Sequence, residues 1–81
     1  MRAVLTSQFA TQLAAAAAAV QRAFIKQLAH LLRDIRHPLL HAKKYDETRG
    51  LWQARVNDSW RFYFTIEGDA YVFRGIIAHP M

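Results

Sequence analysis

No glycine and no proline occurs before Pro38. From Ser7 to about Asp34 nothing interrupts a helical backbone, and Phe9, Leu13, Val20, Phe24, Leu28, Leu31 and Ile35 recur at helical spacing. Arg22, Lys26, His30 and Arg33 fall on the opposite side. One unbroken helix of that length would run to about 40 Å at 1.5 Å per residue. A small domain cannot cover so long an apolar face. The spacing therefore predicts two helices folded back on each other, with the break inside Ala14–Ala19 and Ser7 as the first cap. A continuous helix is the alternative, and it would leave an apolar stripe exposed. Pro38 disfavours helix at the residue before it, so the second helix stops near Asp34 to Arg36.

The second half changes character. Leu51–Val56, Ser59–Ile66 and Ala70–His79 are rich in aromatic and β-branched residues. Three-residue turns at Asn57–Ser59 and Glu67–Asp69 would join them, with Gly68 free to take positive φ. Arg2–Thr6 reads as a short edge strand. His37–Gly50 reads as a polar connection anchored by Leu39 and Leu40, with a basic centre at Lys43 and Lys44. The expected fold class is α+β: a short N-terminal strand, a helical hairpin, then an antiparallel β-meander with the helices on one face.

The 81 residues are expected to form a single domain spanning 1–81. Cysteine is absent, which rules out disulfides and thiolate metal sites and fits a reducing, cytoplasmic setting. The N-terminal stretch is alanine-rich, but Thr6, Ser7, Gln8, Thr11 and Gln12 break any apolar run of membrane-spanning length, so no membrane partner is expected. A formal net charge of +5 points to an acidic partner such as nucleic acid, or to a merely basic surface.

Order and alternation bring certain polar groups together. Arg55 ends one strand and Arg61 begins the next. His79 ends the last strand and returns to the same end of the sheet. With three-residue turns, Arg55 lies opposite Arg61, and all three side chains share a face by parity. Two guanidiniums and an imidazole so placed suit a phosphate, because arginine offers paired planar donors and histidine exchanges protons near neutral pH. Separate solvated residues are the competing reading. Other chemistries are set aside: the glycines are too scattered for a phosphate loop, and Ser7 and Ser59 lack His/Asp partners. His37 and His41 flank a proline, and the four histidines lack clustered acids, so neither a metal nor a cofactor is expected. His30 reads as solvated, and Trp52 and Trp60 as core residues.

Three stretches, "HPLLHAKKY", "LWQARVNDSWRFYF" and the closing "IIAHP", carry a family likeness. With them the chain, over nearly its whole length, resembles the RelE/ParE superfamily of toxins from bacterial toxin–antitoxin pairs. The resemblance implies the same strand, helical hairpin and antiparallel sheet. Many members are endoribonucleases that cut messenger RNA on the ribosome: the ribose 2′-OH attacks the adjacent phosphate without a metal. Others poison DNA gyrase by protein contact, and a silent relative would keep only its antitoxin interface. An antitoxin neutralises either kind. By this resemblance Arg61 would contact the scissile phosphate and Arg55 would add a cation from the preceding strand. His79 would be general acid or base, and Lys43 and Lys44 would hold flanking phosphates. Two departures stand out. Asp46 and Glu47 lie in the right loop but match no family base, and Pro80–Met81 replaces the aromatic or basic residue that follows the last strand in several nucleases.

Overall fold

A computed structural model describes residues 1–79; Pro80 and Met81 lie outside the described residues. The order is β1 (Arg2–Leu5), α1 (Ser7–Ala15), α2 (Ala18–Arg33), a 3₁₀ turn (Pro38–Leu40), β2 (Lys43–Asp46), β3 (Leu51–Arg55), β4 (Trp60–Glu67) and β5 (Ala70–Ala78). The five strands form one sheet in the order β1-β5-β4-β3-β2. β2 to β5 are antiparallel, as the meander requires, whereas β1 pairs parallel to β5 with Arg2 beside Ala70 and Leu5 beside Phe73. The sheet is therefore mixed, and β1 and β5 are joined by the helical hairpin together with the three strands between them, far more chain than the roughly dozen residues a parallel pair needs.

The helical break falls at Ala16 and Ala17, whose ψ angles of 155° and 151° are extended. Alanine cannot cap a helix with its side chain. Gln21 of α2 instead reaches back, its Nε2 donating to the Leu13 carbonyl at 2.9 Å. At the other end of α1 the cap is Thr6 rather than Ser7. The Thr6 hydroxyl accepts from the Phe9 N–H at 3.2 Å and donates to the Phe73 carbonyl at 2.8 Å. One threonine thus starts the helix and ties it to β5.

The core lies between the hairpin and one face of the sheet. Phe9 and Phe24 from the helices meet Phe62, Phe64 and Phe73 from the strands, all essentially inaccessible to solvent. Phe24 packs edge-on to Phe62 and Phe73, with ring centroids 5.3 and 5.6 Å away. Trp52 and Trp60 pack on the margin of this cluster, as expected of core residues.

The segment after α2 is more structured than its polarity suggested. Leu40 is fully buried, while Leu39 is exposed, so only one of the two leucines anchors it. Lys43–Asp46 is a fourth antiparallel strand, β2, with an irregularity at Tyr45. Its exposed, lysine-bearing character hides it from a search for alternating apolar residues, and it suits an edge strand.

His30 is not simply solvated. Its ring stacks on His37 with centroids 3.9 Å apart, and its Nε2 is buried without a partner. His37 Nδ1 in turn accepts from the Leu39 N–H, capping the 3₁₀ turn. Burial, then the neighbouring His37 ring, then Lys26 and Arg33 hold His30 below its ordinary imidazole value. The unfolded chain therefore takes up this proton first as pH falls. Stability is expected to be lost as the pH drops below about 6.5 and to be retained above it. Urea midpoints at pH 7.5 and 5.0 test this. His30→Phe should flatten the dependence, and an unchanged slope would dismiss the pair as its source.

Candidate phosphate-binding site

The sheet face away from the aromatic core carries the polar groups. Arg55 is paired with Arg61 across β3 and β4, and Arg61 with Ile77 across β4 and β5. The first hairpin has the expected three-residue loop, closed by Val56 N–H donating to the Trp60 carbonyl. The second does not. Glu67 pairs with Ala70, so only Gly68 (φ 61°) and Asp69 lie between them. A turn one residue shorter would send His79 to the opposite face. The register shift between Tyr63 and Phe64, where Arg74 is the extra residue on β5, restores the parity. His79 then returns beside the start of β4, its N–H donating to the Ser59 carbonyl at 2.7 Å.

Arg55, Arg61 and His79 line one cavity of about 360 Å³, together with His41, Ala42, Lys43, Gln53 and Ala54. Of the two lysines, only Lys43 belongs to it. Lys43 pairs with Gln53, whereas Lys44 pairs with Trp52, which packs against the core on the other face. The alternation that brings Lys43 in takes Lys44 out.

Each arginine is anchored differently. Arg61 uses Nη1 to donate to the carbonyls of Asn57 (2.8 Å), Trp60 (3.0 Å) and Asp58 (3.3 Å). Its Nε and Nη2 make no hydrogen bond to protein among the described residues. Arg61 thus braces the β3–β4 turn with one nitrogen and keeps an edge for an anion. Arg55 is 4.0 Å from Asp58, a fully exposed carboxylate, and such a contact binds little. Its backbone is fixed from below: Gln27, buried in α2, donates through Nε2 to the carbonyls of Arg55 (2.9 Å) and Leu39 (2.8 Å). Gln27→Leu would strand both carbonyls and is expected to lower stability by about 1–3 kcal/mol, measured by chemical denaturation.

Two contributors escaped sequence reasoning. His41 lines the cavity from a left-handed turn (φ 46°), a conformation in which histidine is over-represented, directly after the 3₁₀ turn that Pro38 starts. Gln53 lies two residues before Arg55 and receives its face by alternation, and its Nε2 donates to the Tyr63 hydroxyl at 2.9 Å. No carboxylate lines this cavity. Asp46 is engaged by Arg49, and Glu67 by Thr65 and Arg74. These hydrogen bonds hold both acids below the usual carboxylate range, which makes them poor proton acceptors.

No family model matches the chain, and no curated protein matches it. A solved structure described as a YoeB/ParE toxin from Agrobacterium tumefaciens does: the match covers 99% of this chain and 100% of that one, with a TM-score of 0.80 and 15% sequence identity. No helix among the described residues is long and apolar enough to cross a membrane. Element order, sheet topology and this likeness agree: the chain has the RelE/ParE-type toxin fold.

Proposed function

We propose that the protein is the toxin of a toxin–antitoxin pair and acts as an endoribonuclease on messenger RNA. The observation that carries this reading is the convergence of Arg55, Arg61 and His79 on one cavity of the open sheet face. The free edge of Arg61 and the guanidinium of Arg55 would hold the scissile phosphate and stabilise the charge that builds on it. The ribose 2′-oxygen attacks phosphorus, the bond to the 5′-oxygen breaks, and a 2′,3′-cyclic phosphate remains. His79 would supply the proton that leaves with the 5′-oxygen, or take the one from the 2′-OH. Asp46 and Glu67 being engaged elsewhere, His41 is the second imidazole at the cavity. Lys43 would hold a flanking phosphate.

The antitoxin partner has a candidate surface. Ile25 and Leu32 lie seven residues apart on α2 and remain 58% and 40% exposed, with Leu39 of the 3₁₀ turn also exposed. A second reading has its own observation: the three carbonyls held by Arg61 Nη1 give that residue a structural task independent of any phosphate. That fits a protein-directed toxin, acting for example on DNA gyrase, or a silent relative.

One experiment separates these. A short expression pulse in bacteria, followed by mapping of messenger RNA 5′ ends, compares wild type with Arg61→Ala at matched protein level. New ends within coding frames that vanish in the variant support the nuclease. Growth arrest without new ends moves the assignment to a protein target, and absence of arrest to the silent relative.

A further inference from the structure

A second, larger hollow of about 770 Å³ opens on the same sheet face beside the basic cluster. Tyr63 lies two residues along β4 from Arg61, and Ile77 two residues before His79. Both line this hollow, about 7 Å from the phosphate site at the rise of a strand. Its far wall is α1, which contributes Gln8 and Gln12.

The glutamines are arranged for recognition. β1 ends at Leu5, so the outer edge of β5 is unpaired beyond Phe73. Gln12 takes the place of the missing strand, its Oε1 accepting from the Ile76 N–H at 2.9 Å. That contact orients the amide and leaves Nε2 with two donors that have no protein partner among the described residues. Gly75 eases the approach. A β-carbon there would come within 3.3 Å of Gln12 Oε1 and 3.9 Å of Gln8 Nε2, so both side chains lie over this residue. The charged groups of the hollow are already matched: Arg74 with Glu67, and Arg49 with Asp46.

We propose that this hollow is a nucleobase subsite, that Gln12 with Gln8 reads the base, and that guanine is the base it prefers. The inference rests on the nuclease reading of the neighbouring cluster. One N–H from each of Gln12 and Gln8 would match the two adjacent acceptors of guanine, O6 and N7, because Gln12 Oε1 is committed to the Ile76 N–H and does not serve the oxygen-plus-amide pairing by which a free glutamine reads adenine. Adenine offers a donor at the first of these positions and is disfavoured. Tyr63 gives the hollow an aromatic wall, the usual surface against which a single-stranded base is held.

The test uses labelled single-stranded RNA: a uridine oligomer, and the same oligomer carrying one guanosine or one adenosine. Binding is followed by fluorescence anisotropy. Wild type should bind the guanosine oligomer roughly 10-fold more tightly than the adenosine one, as a matched two-donor contact gives. Gln12→Glu keeps the acceptor for Ile76 N–H but removes the donors. It should abolish or invert the guanosine-to-adenosine ratio, which is insensitive to the added charge. Gln8→Leu, at an exposed position, should shrink the ratio without threatening the fold. Equal affinities in wild type, or a ratio that both variants leave intact, would overturn the subsite while RNA binding itself survives. If instead no oligomer binds in a manner sensitive to salt and to Arg55→Ala, the nuclease reading fails and takes the subsite with it.

Discussion

Arg61→Ala is expected to slow RNA cleavage about 10²- to 10³-fold in single-turnover assays, the usual loss when one pre-placed donor to a charged transition state is removed. The size follows from geometry. Arg61 is held by three carbonyl contacts on one nitrogen, so its free edge would already be oriented for an arriving phosphate. Arg61→Lys should recover only part of the loss, because an ammonium keeps the charge without the planar paired donors. The salt dependence of binding supplies a separate readout. Losing one phosphate contact should reduce the log–log slope by somewhat less than one for single-stranded RNA. The alanine variant also releases the turn carbonyls, so its melting temperature must be compared with that of the lysine variant. A slow but equally stable Arg61→Ala protein supports the phosphate contact. A variant that is destabilised yet cleaves at the wild-type rate per folded molecule would assign Arg61 to the turn alone.

Phe24→Ala should have the largest effect on stability. Its ring is 1% exposed and touches Phe9, Phe62 and Phe73, so it joins the helical hairpin to two strands. Removing such a ring costs about 3–5 kcal/mol, since the surrounding rings cannot collapse into the space. A domain of this size has roughly 4–12 kcal/mol in total. The variant is therefore expected to melt tens of degrees lower, or to be substantially unfolded at 37 °C, as followed by circular dichroism. A fall of only a few degrees would mean that the hairpin packs far more loosely against the sheet than these centroid distances describe.

The sequence was most legible where periodicity was strong. The helical region, its break within the alanines and three of the strands follow from apolar spacing and turn residues. The facing of Arg55 and Arg61 follows from a loop of three residues. What escaped was carried by single side chains acting at a distance. Thr6 outcompetes Ser7 as the cap because it also reaches Phe73, and no local rule anticipates a contact with β5. The alanine break owes its capping to Gln21, one helix further on. β2 is exposed on both faces, so burial left no pattern to read. For His79 the expected face is right but the expected route to it is not. A two-residue turn and a bulge together give the parity that a three-residue turn would have given. The separation of Lys43 from Lys44 needed the pairing register, which composition does not contain.

The parallel pairing of β1 with β5 has a consequence in time. Arg2 finds its place beside Ala70, and β5 also delivers His79. The first and last strands of the chain must meet before the sheet is complete, a contact of nearly maximal sequence separation. Such contacts form late, because a long loop must close first. During synthesis β5 follows every other strand of this sheet. β1 therefore waits unpaired until β5 has been made and closes the sheet, and only then does His79 join Arg55 and Arg61.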